Sequence, residues 1–276
     1  MTNQIANIIN DINEKGYSKI ENFFSEKDLQ KIDINLKNIN DEKITKGDKI
    51  GYFPVSIKDH IISLIKLRFK SLIRSHHLMS LSNAYSFKKI ANQYFCNTTD
   101  LIMLDSYFSA RSNEKIIDWH ADIPLDLPSN PHKYRKWQRS LKFFIYLTDV
   151  DHDNGCLAYF PESNKINEAI TKLVLKKKIT ISRFTELSKM RDLLIKNKNL
   201  RELLKSESNI NKETIEMFVE NSSFIQNGGD TKNYDITLKK GGMVIFDEFG
   251  FHRGSSPAKT SRMVLRYLFR PRHSCI

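Results

Sequence analysis

Long hydrophobic runs are missing from this chain. No stretch approaches the ~20 apolar residues that a membrane-crossing helix needs. The opening, MTNQIANIINDINEKGY, is polar throughout and lacks the apolar segment of a secretory leader. Both absences predict a soluble protein with no membrane span. Cysteine is scarce: Cys96, Cys156 and Cys275 stand apart, with no CxxC spacing. An odd, scattered set predicts reduced thiols and a cytoplasmic setting. Blocks of like charge and arginine-rich arms are absent, and no nucleic-acid module is visible, so no nucleic-acid partner is expected. There are no convincing internal repeats, no catalytic triad and no carboxylate dyad.

What is present supports a folded enzyme-sized chain. The 276 residues suffice for one large domain or two small ones, and with 40% hydrophobic and 11% aromatic residues a sizeable core can form. The formal charge of +12 speaks to association rather than fold. It fits solubility, and it fits equally an anionic substrate or partner.

Residues 1–95 read as mostly helical. Ser25 and Asp28 resemble a capping pair before Leu29, Ile32 and Leu36, which recur at helical spacing. A second stripe, Ile57, Ile61, Leu64, Ile65, Phe69, Leu72 and Ile73, predicts a longer helix with a core-facing surface. From residue 100 the texture changes. LIMLDSYFSA (101–110), RSLKFFIYLTDV (139–150), CLAYFP (156–161), YDITL (234–238), GMVIFD (242–247) and RMVLRYLFRP (262–271) are short, aromatic and β-branched. Turn residues such as Asn154-Gly155 and Gly241-Gly242 separate them. Short strands after a helical part predict an antiparallel barrel or jelly roll with helices packed outside, an α+β protein. Between the strands, residues 165–220 carry 13 Lys/Arg against 8 Asp/Glu in a helical pattern. This insertion is expected to cover a sheet face or to act as a lid.

Within DWHADIP (118–124), His120 and Asp122 stand two apart. In an extended segment both side chains project to one side, so they can converge on one ion. A third ligand must come from elsewhere, and His252, just after the GMVIFD strand, is available. Two imidazoles and one carboxylate, with three positions open, is the ligand set of non-haem Fe(II) oxygenases. Ten residues beyond His252, Arg262 could grip a carboxylate by a bidentate fork. Arg266, four further on, shares its strand face and could serve instead, or could meet an anionic substrate.

Four stretches in order carry a resemblance: EKGYSKIENFFSEKDLQKI, WHAD, YLTDVDHDNGCLAYFPESNK and GGMVIFDEFGFHRGSSPAKTSRMVLRYLF. The chain resembles the phytanoyl-CoA dioxygenase family of Fe(II)- and 2-oxoglutarate-dependent oxygenases. The resemblance leaves the 165–233 insertion uncovered. It departs from the family pattern at Asn164, where the family commonly has His, and at Ala258, where it often has Asn. The spacing from His252 to Arg262 is also slightly short.

The resemblance implies a double-stranded β-helix, cupin-like in fold, as a single oxygenase domain over residues 1–276. Residues 1–99 would be mostly helical support, 100–164 and 234–276 the jelly-roll core, and 165–233 the helical insertion. It implies Fe(II) at His120, Asp122 and His252, with 2-oxoglutarate as cosubstrate and O2 as oxidant. Arg262 or Arg266 would anchor the cosubstrate, with Tyr107 and Ser109 as further partners. The presence of Asp122 implies oxygenation, since halogenating relatives lack this carboxylate. The implied reaction is hydroxylation of an unactivated C–H, releasing succinate and CO2. Trp119 is expected to pack beside the metal or to wall the substrate. Arg135 and Arg139, in the proline-rich stretch 124–140, are candidates for substrate contact. His76, His77, His132, His152 and His273 have no supporting context. The substrate is expected to be a small or carrier-linked molecule, and the basic balance favours an anionic one. A non-catalytic binding or regulatory barrel remains the alternative, as does a cupin-like barrel with another metal.

Overall fold

The computed structural model describes residues 2–36, 48–66, 68–113, 117–122, 139–179, 186–208 and 210–273. Among them, two antiparallel sheets form. One runs in the order β1 (Tyr17–Ile20), β8 (Met243–Asp247), β5 (Leu141–Tyr146), β10 (Arg262–Pro271), β3 (Thr99–Ser109) and β2 (Asp48–Tyr52). The other is β4 (Ile117–His120), β9 (His252–Gly254), β6 (Leu157–Tyr159) and β7 (Asp235–Ile236). From β3 to β10 the chain crosses repeatedly between the two sheets. That winding is the expected jelly roll.

Strand alternation sorts each side chain to one of two faces. On β5, Leu141, Phe143 and Ile145 join the core beneath the N-terminal helices, together with Met263, Leu265 and Tyr267 of β10. The alternate residues Tyr146, Val244, Phe246 and Val264 fill the barrel with Leu157 and Tyr159 of the smaller sheet. The central strands of the larger sheet are covered on both faces, which is why they read as nearly continuous apolar runs.

The N-terminal layer contains α1 (Thr2–Lys15), α2 (Glu26–Leu36), α3 (Ile57–Ile65), α4 (Phe69–Ala84) and α5 (Phe87–Phe95). Ile5, Ile8 and Ile12 of α1 and Phe87, Ile90 and Ala91 of α5 supply its share of the core. The capping pair forms as expected. The Asp28 backbone N–H donates to Ser25 Oγ at 3.2 Å, and Ser25 Oγ donates back to the Asp28 carboxylate at 2.8 Å.

The second apolar stripe departs from expectation. It spans two helices rather than one, and its side chains face outward: Ile57 is 82% exposed and Ile65 75%. The inner positions are taken by Ser63 on α3 and by Ser75, Leu78 and Ser82 on α4. Periodicity identifies a stripe, but not whether other chain covers it. Strand β2 had no signal in the sequence reading; it pairs only with β3 and forms the sheet edge.

Among the described residues, the 165–233 segment is largely helical. It contains most of α6 (Ser163–Leu175) and all of α7 (Leu187–Lys196), α8 (Lys198–Ser208) and α9 (Lys212–Gln226). Ile166, Ile170 and Leu173 of α6, Met190 and Leu194 of α7 and Phe218 of α9 pack against Trp119, Phe160 and Phe251. The insertion therefore covers the outer face of the smaller sheet.

Candidate metal centre

His120 ends β4 and His252 begins β9, and the two are directly opposed across that pair of strands. Their rings lie 4.5 Å apart at 49°. Asp122 sits two residues past His120 and closes the set. His120 Nε2 is 3.3 Å from Asp122 Oδ1, and His252 Nε2 is 3.5 Å from Asp122 Oδ2. One ligand atom from each of the three lies within 4.8 Å of the others.

The backbone fixes which ring nitrogens face inward. His120 Nδ1 is 2.7 Å from the Asp118 carbonyl, and His252 Nδ1 is 3.0 Å from the Gly250 carbonyl. A carbonyl only accepts, so each Nδ1 carries the proton, and in the neutral rings each Nε2 is left as a lone pair. Two lone pairs and a carboxylate converging from three directions is a donor set that fits a divalent metal. Tyr159 OH crowds the Gly250 turn, where a Cβ would sit 1.8 Å from it, so the backbone there must be glycine.

Lys142 is the residue that sequence reasoning did not assign. It lies on the inward face of β5, and its buried ammonium bonds both Asp122 Oδ2 and Glu248 Oε1. Burial works against the Asp122 carboxylate, but Lys142 and the two imidazoles outweigh it and hold its pKa far below the usual range. Burial likewise opposes charge on His120, yet Asp122 and the Asp118 carbonyl raise its pKa. For the deeper His252 burial wins and its pKa falls. Burial, with Asp122 nearby, pushes Glu248 up to about 7 despite Lys142. The signal in the sequence was a lysine alternating with Phe144 and Tyr146, which alone cannot tell inward from outward.

The two arginines differ in their commitments. Arg266 is forked onto the buried Asp105, Nε to Oδ1 at 2.6 Å and Nη2 to Oδ2 at 2.9 Å. Arg262 is buried and has no carboxylate partner among the described residues. Its Nη1 donates to the Gly155 carbonyl and its Nη2 to Ser109 Oγ, each at 3.0 Å, while its Nε has no partner. Arg262 Nη1 would lie 3.5 Å from a Cβ on Gly254, two residues along β9 from His252. Two strand residues span about 7 Å, roughly the reach of a five-carbon keto diacid. Tyr107 and Ser109 face the same interior: Tyr107 lies under both guanidiniums, 5.4 Å from Arg262 and 4.8 Å from Arg266. The inward parity of β3 also explains Asp105, which the sequence reading did not single out.

Trp119 packs edge-on against Phe160 and Tyr234, under Arg253, on the face of β4 opposite His120, and it lines the cavity that opens beside that histidine. Arg139 corrects the substrate-contact reading. Its half-buried guanidinium bonds Asp247, Glu168 and Tyr94, so it ties elements of the fold together. Arg135 lies outside the described residues. Asn164, a departure from the family pattern, is buried, and its Nδ2 lies 3.5 Å from Asp247 Oδ2.

A cavity of about 700 Å³ opens beside His120, between β4, β9 and the helical insertion. Asp118, Leu187, Ser188, Gln226 and Arg253 are among its lining residues. The Arg253 guanidinium donates to Thr231 and Asp235, but its Nε is buried without a partner.

Comparison with solved structures gives likeness of fold at low identity. The non-heme alpha ketoglutarate dependent carbocyclase SnoK from nogalamycin biosynthesis superposes with a TM-score of 0.54 at 12% identity, covering 96% of this chain and 83% of that one. The epimerase SnoN in complex with Fe3+, alpha ketoglutarate and nogalamycin RO gives 0.53 at 10% identity, covering 98% and 85%. HygX from Streptomyces hygroscopicus, with nickel and 2-oxoglutarate bound, gives 0.51 at 11% identity, covering 96% and 87%. A search of curated proteins by sequence finds no match. The family model for phytanoyl-CoA dioxygenase (PhyH) matches residues 12–263, through both histidine strands and on past Arg262. The chain belongs to the phytanoyl-CoA dioxygenase (PhyH) family.

Proposed function

We propose that this chain is a non-haem Fe(II)- and 2-oxoglutarate-dependent oxygenase. His120, Asp122 and His252 hold the iron, and Arg262 holds the far carboxylate of 2-oxoglutarate. The observation that carries this reading is the convergence of one ligand atom each from His120, Asp122 and His252 within 4.8 Å, with the Nδ1 of both rings turned to a backbone carbonyl. The buried Arg262, without a carboxylate partner and with a free Nε, supports the cosubstrate assignment. Ser109 and Tyr107 orient that guanidinium from the strand alongside. When bound, iron, 2-oxoglutarate and dioxygen supply the oxidation of an unactivated C–H bond, with release of succinate and carbon dioxide.

The remaining roles belong to the protein. Lys142 neutralises part of the Asp122 charge and occupies one of its oxygens, which favours single-oxygen ligation through the other. The insertion acts as the cover of the substrate cavity, supported by Leu187 and Gln226 lining it together with His120. Arg253 Nε offers a donor to an acceptor group on a small or carrier-linked substrate. Hydroxylation is the outcome we favour, in a cytoplasmic setting. Incubation with Fe(II), ascorbate and 2-oxoglutarate across a substrate library tests the reading. Succinate release coupled to a product heavier by one oxygen is expected. Succinate release with a product of unchanged mass would replace hydroxylation by another outcome of the same oxidation.

A further inference from the structure

Helices α3 and α4 are amphipathic the wrong way round for a chain surrounded only by water. Ile57, Ile61, Leu64, Ile65, Phe69 and Ile73 all point outward, while Ser63 and Ser75 are buried beneath them. The inward serines are not accidental. Ser75 Oγ donates to the Pro54 carbonyl, which pins α4 to the segment leading into α3. A capping box between Ser56 and Asp59 fixes where α3 begins. The outward apolar face is thus held in place by specific bonds on its inner side. Contiguous exposed apolar surface of this kind marks a contact site.

The charge around the stripe indicates what kind. Over residues 56–84 there are five Lys/Arg, namely Lys58, Lys66, Arg68, Lys70 and Arg74, against the single Asp59. Asp59 is committed to the helix cap. None of the five cations has an ion-pair partner among the described residues. An apolar stripe flanked by unpaired cations is complementary to a layer of anionic headgroups over hydrocarbon. A second copy of the chain is a poorer match, since a two-fold contact would set this basic rim against itself.

We propose that the α3–α4 face is a membrane-surface docking site that seats its isoleucines and Phe69 among the acyl chains and its cations on anionic lipid headgroups. The protein would lie on the bilayer, not cross it; none of its described helices is long and apolar enough to span one. The claim is independent of the metal centre.

Flotation of the full chain with phosphatidylcholine vesicles, with and without phosphatidylglycerol, tests this. Binding is expected only to the anionic vesicles and is expected to weaken as salt rises. Ile61→Asp and Ile65→Asp should each reduce it by about tenfold or more. Lys66→Gln and Lys70→Gln should each reduce it by about fivefold. In a separate variant, Ile61→Trp, tryptophan emission should shift to the blue when anionic vesicles are added. No binding to the anionic vesicles, binding indifferent to the aspartates, or an unshifted Ile61→Trp spectrum would each overturn the proposal. Salt-insensitive self-association abolished by Ile65→Asp, without vesicle binding, would give the face to a second copy instead.

Discussion

Arg266 and Asp105 face each other across β10 and β3 and close a two-point fork inside the barrel. Four residues earlier on the same wall, Arg262 has no such partner. This difference separates two arginines that the sequence left as alternatives. Arg262→Ala should weaken 2-oxoglutarate binding by 10²-fold or more, on the order of 3 kcal/mol for a buried charge-assisted pair. Arg266→Ala should leave that affinity nearly intact but destabilise the fold by about 3–5 kcal/mol, because Asp105 is left buried and unpaired. Isothermal titration with 2-oxoglutarate and urea unfolding separate the two outcomes. The reverse pattern would move the anchor to Arg266.

Gly155 should be intolerant of a side chain. Its φ is +74°, a left-handed value, and a Cβ there would lie 2.9 Å from Arg262 Cδ. Gly155→Ala should cost about 1–2 kcal/mol for the backbone. It should also raise the Kd for 2-oxoglutarate, because Arg262 is displaced. Stability loss with unchanged cosubstrate affinity would mean that Arg262 is not the anchor.

Lys142 and Glu248 should behave as a coupled pair. Lys142→Met leaves Glu248 buried beside Asp122 without its cation and should cost about 3–5 kcal/mol. The double change Lys142→Met/Glu248→Met removes the stranded charge and should recover most of that loss. Denaturant unfolding of the two single variants and the double variant measures the coupling. Additive losses would contradict it.

Asp28 links the N-terminal helices through a pH-dependent contact. Hydrogen bonds from Tyr85, Ser25 and Lys31 lower its pKa to about 2. An unfolded aspartate titrates near 4, so the folded state favours the ionised form. The contribution is therefore full above about pH 4 and disappears as pH falls through about 2. Tyr85→Phe should destabilise the protein by about 1–2 kcal/mol at neutral pH. The gap to wild type should narrow as Asp28 protonates. Urea midpoints of both proteins across that acid range check it, and a gap that does not change with pH would contradict the assignment.

The sequence disclosed those parts whose cause is local. Strand alternation in RMVLRYLFRP and the helix start at Ser25 follow from residues that are neighbours in the chain. The convergence of His120 and Asp122 with His252 was legible because two of the three residues sit two apart beside a recognisable strand. What was not legible depends on which side of an element is covered. Lys142 and Asp105 needed the inward parity of β5 and β3. Arg139 reads as loop-borne and basic, but becomes structural once Asp247 and Glu168 meet it. The Ile57–Ile73 stripe has the spacing of a buried face and is exposed, because Ser63 and Ser75 were the residues turned inward.

The central claim is one ion held by His120, Asp122 and His252 with room for a keto acid. An anaerobic titration of the Fe(II)-loaded protein with 2-oxoglutarate, followed by visible absorption, tests it most directly. A metal-to-ligand charge-transfer band should grow in and saturate at one cosubstrate per chain, and His252→Ala should abolish it. Absence of the band in the iron-loaded wild type, or its persistence in His252→Ala, would contradict the account.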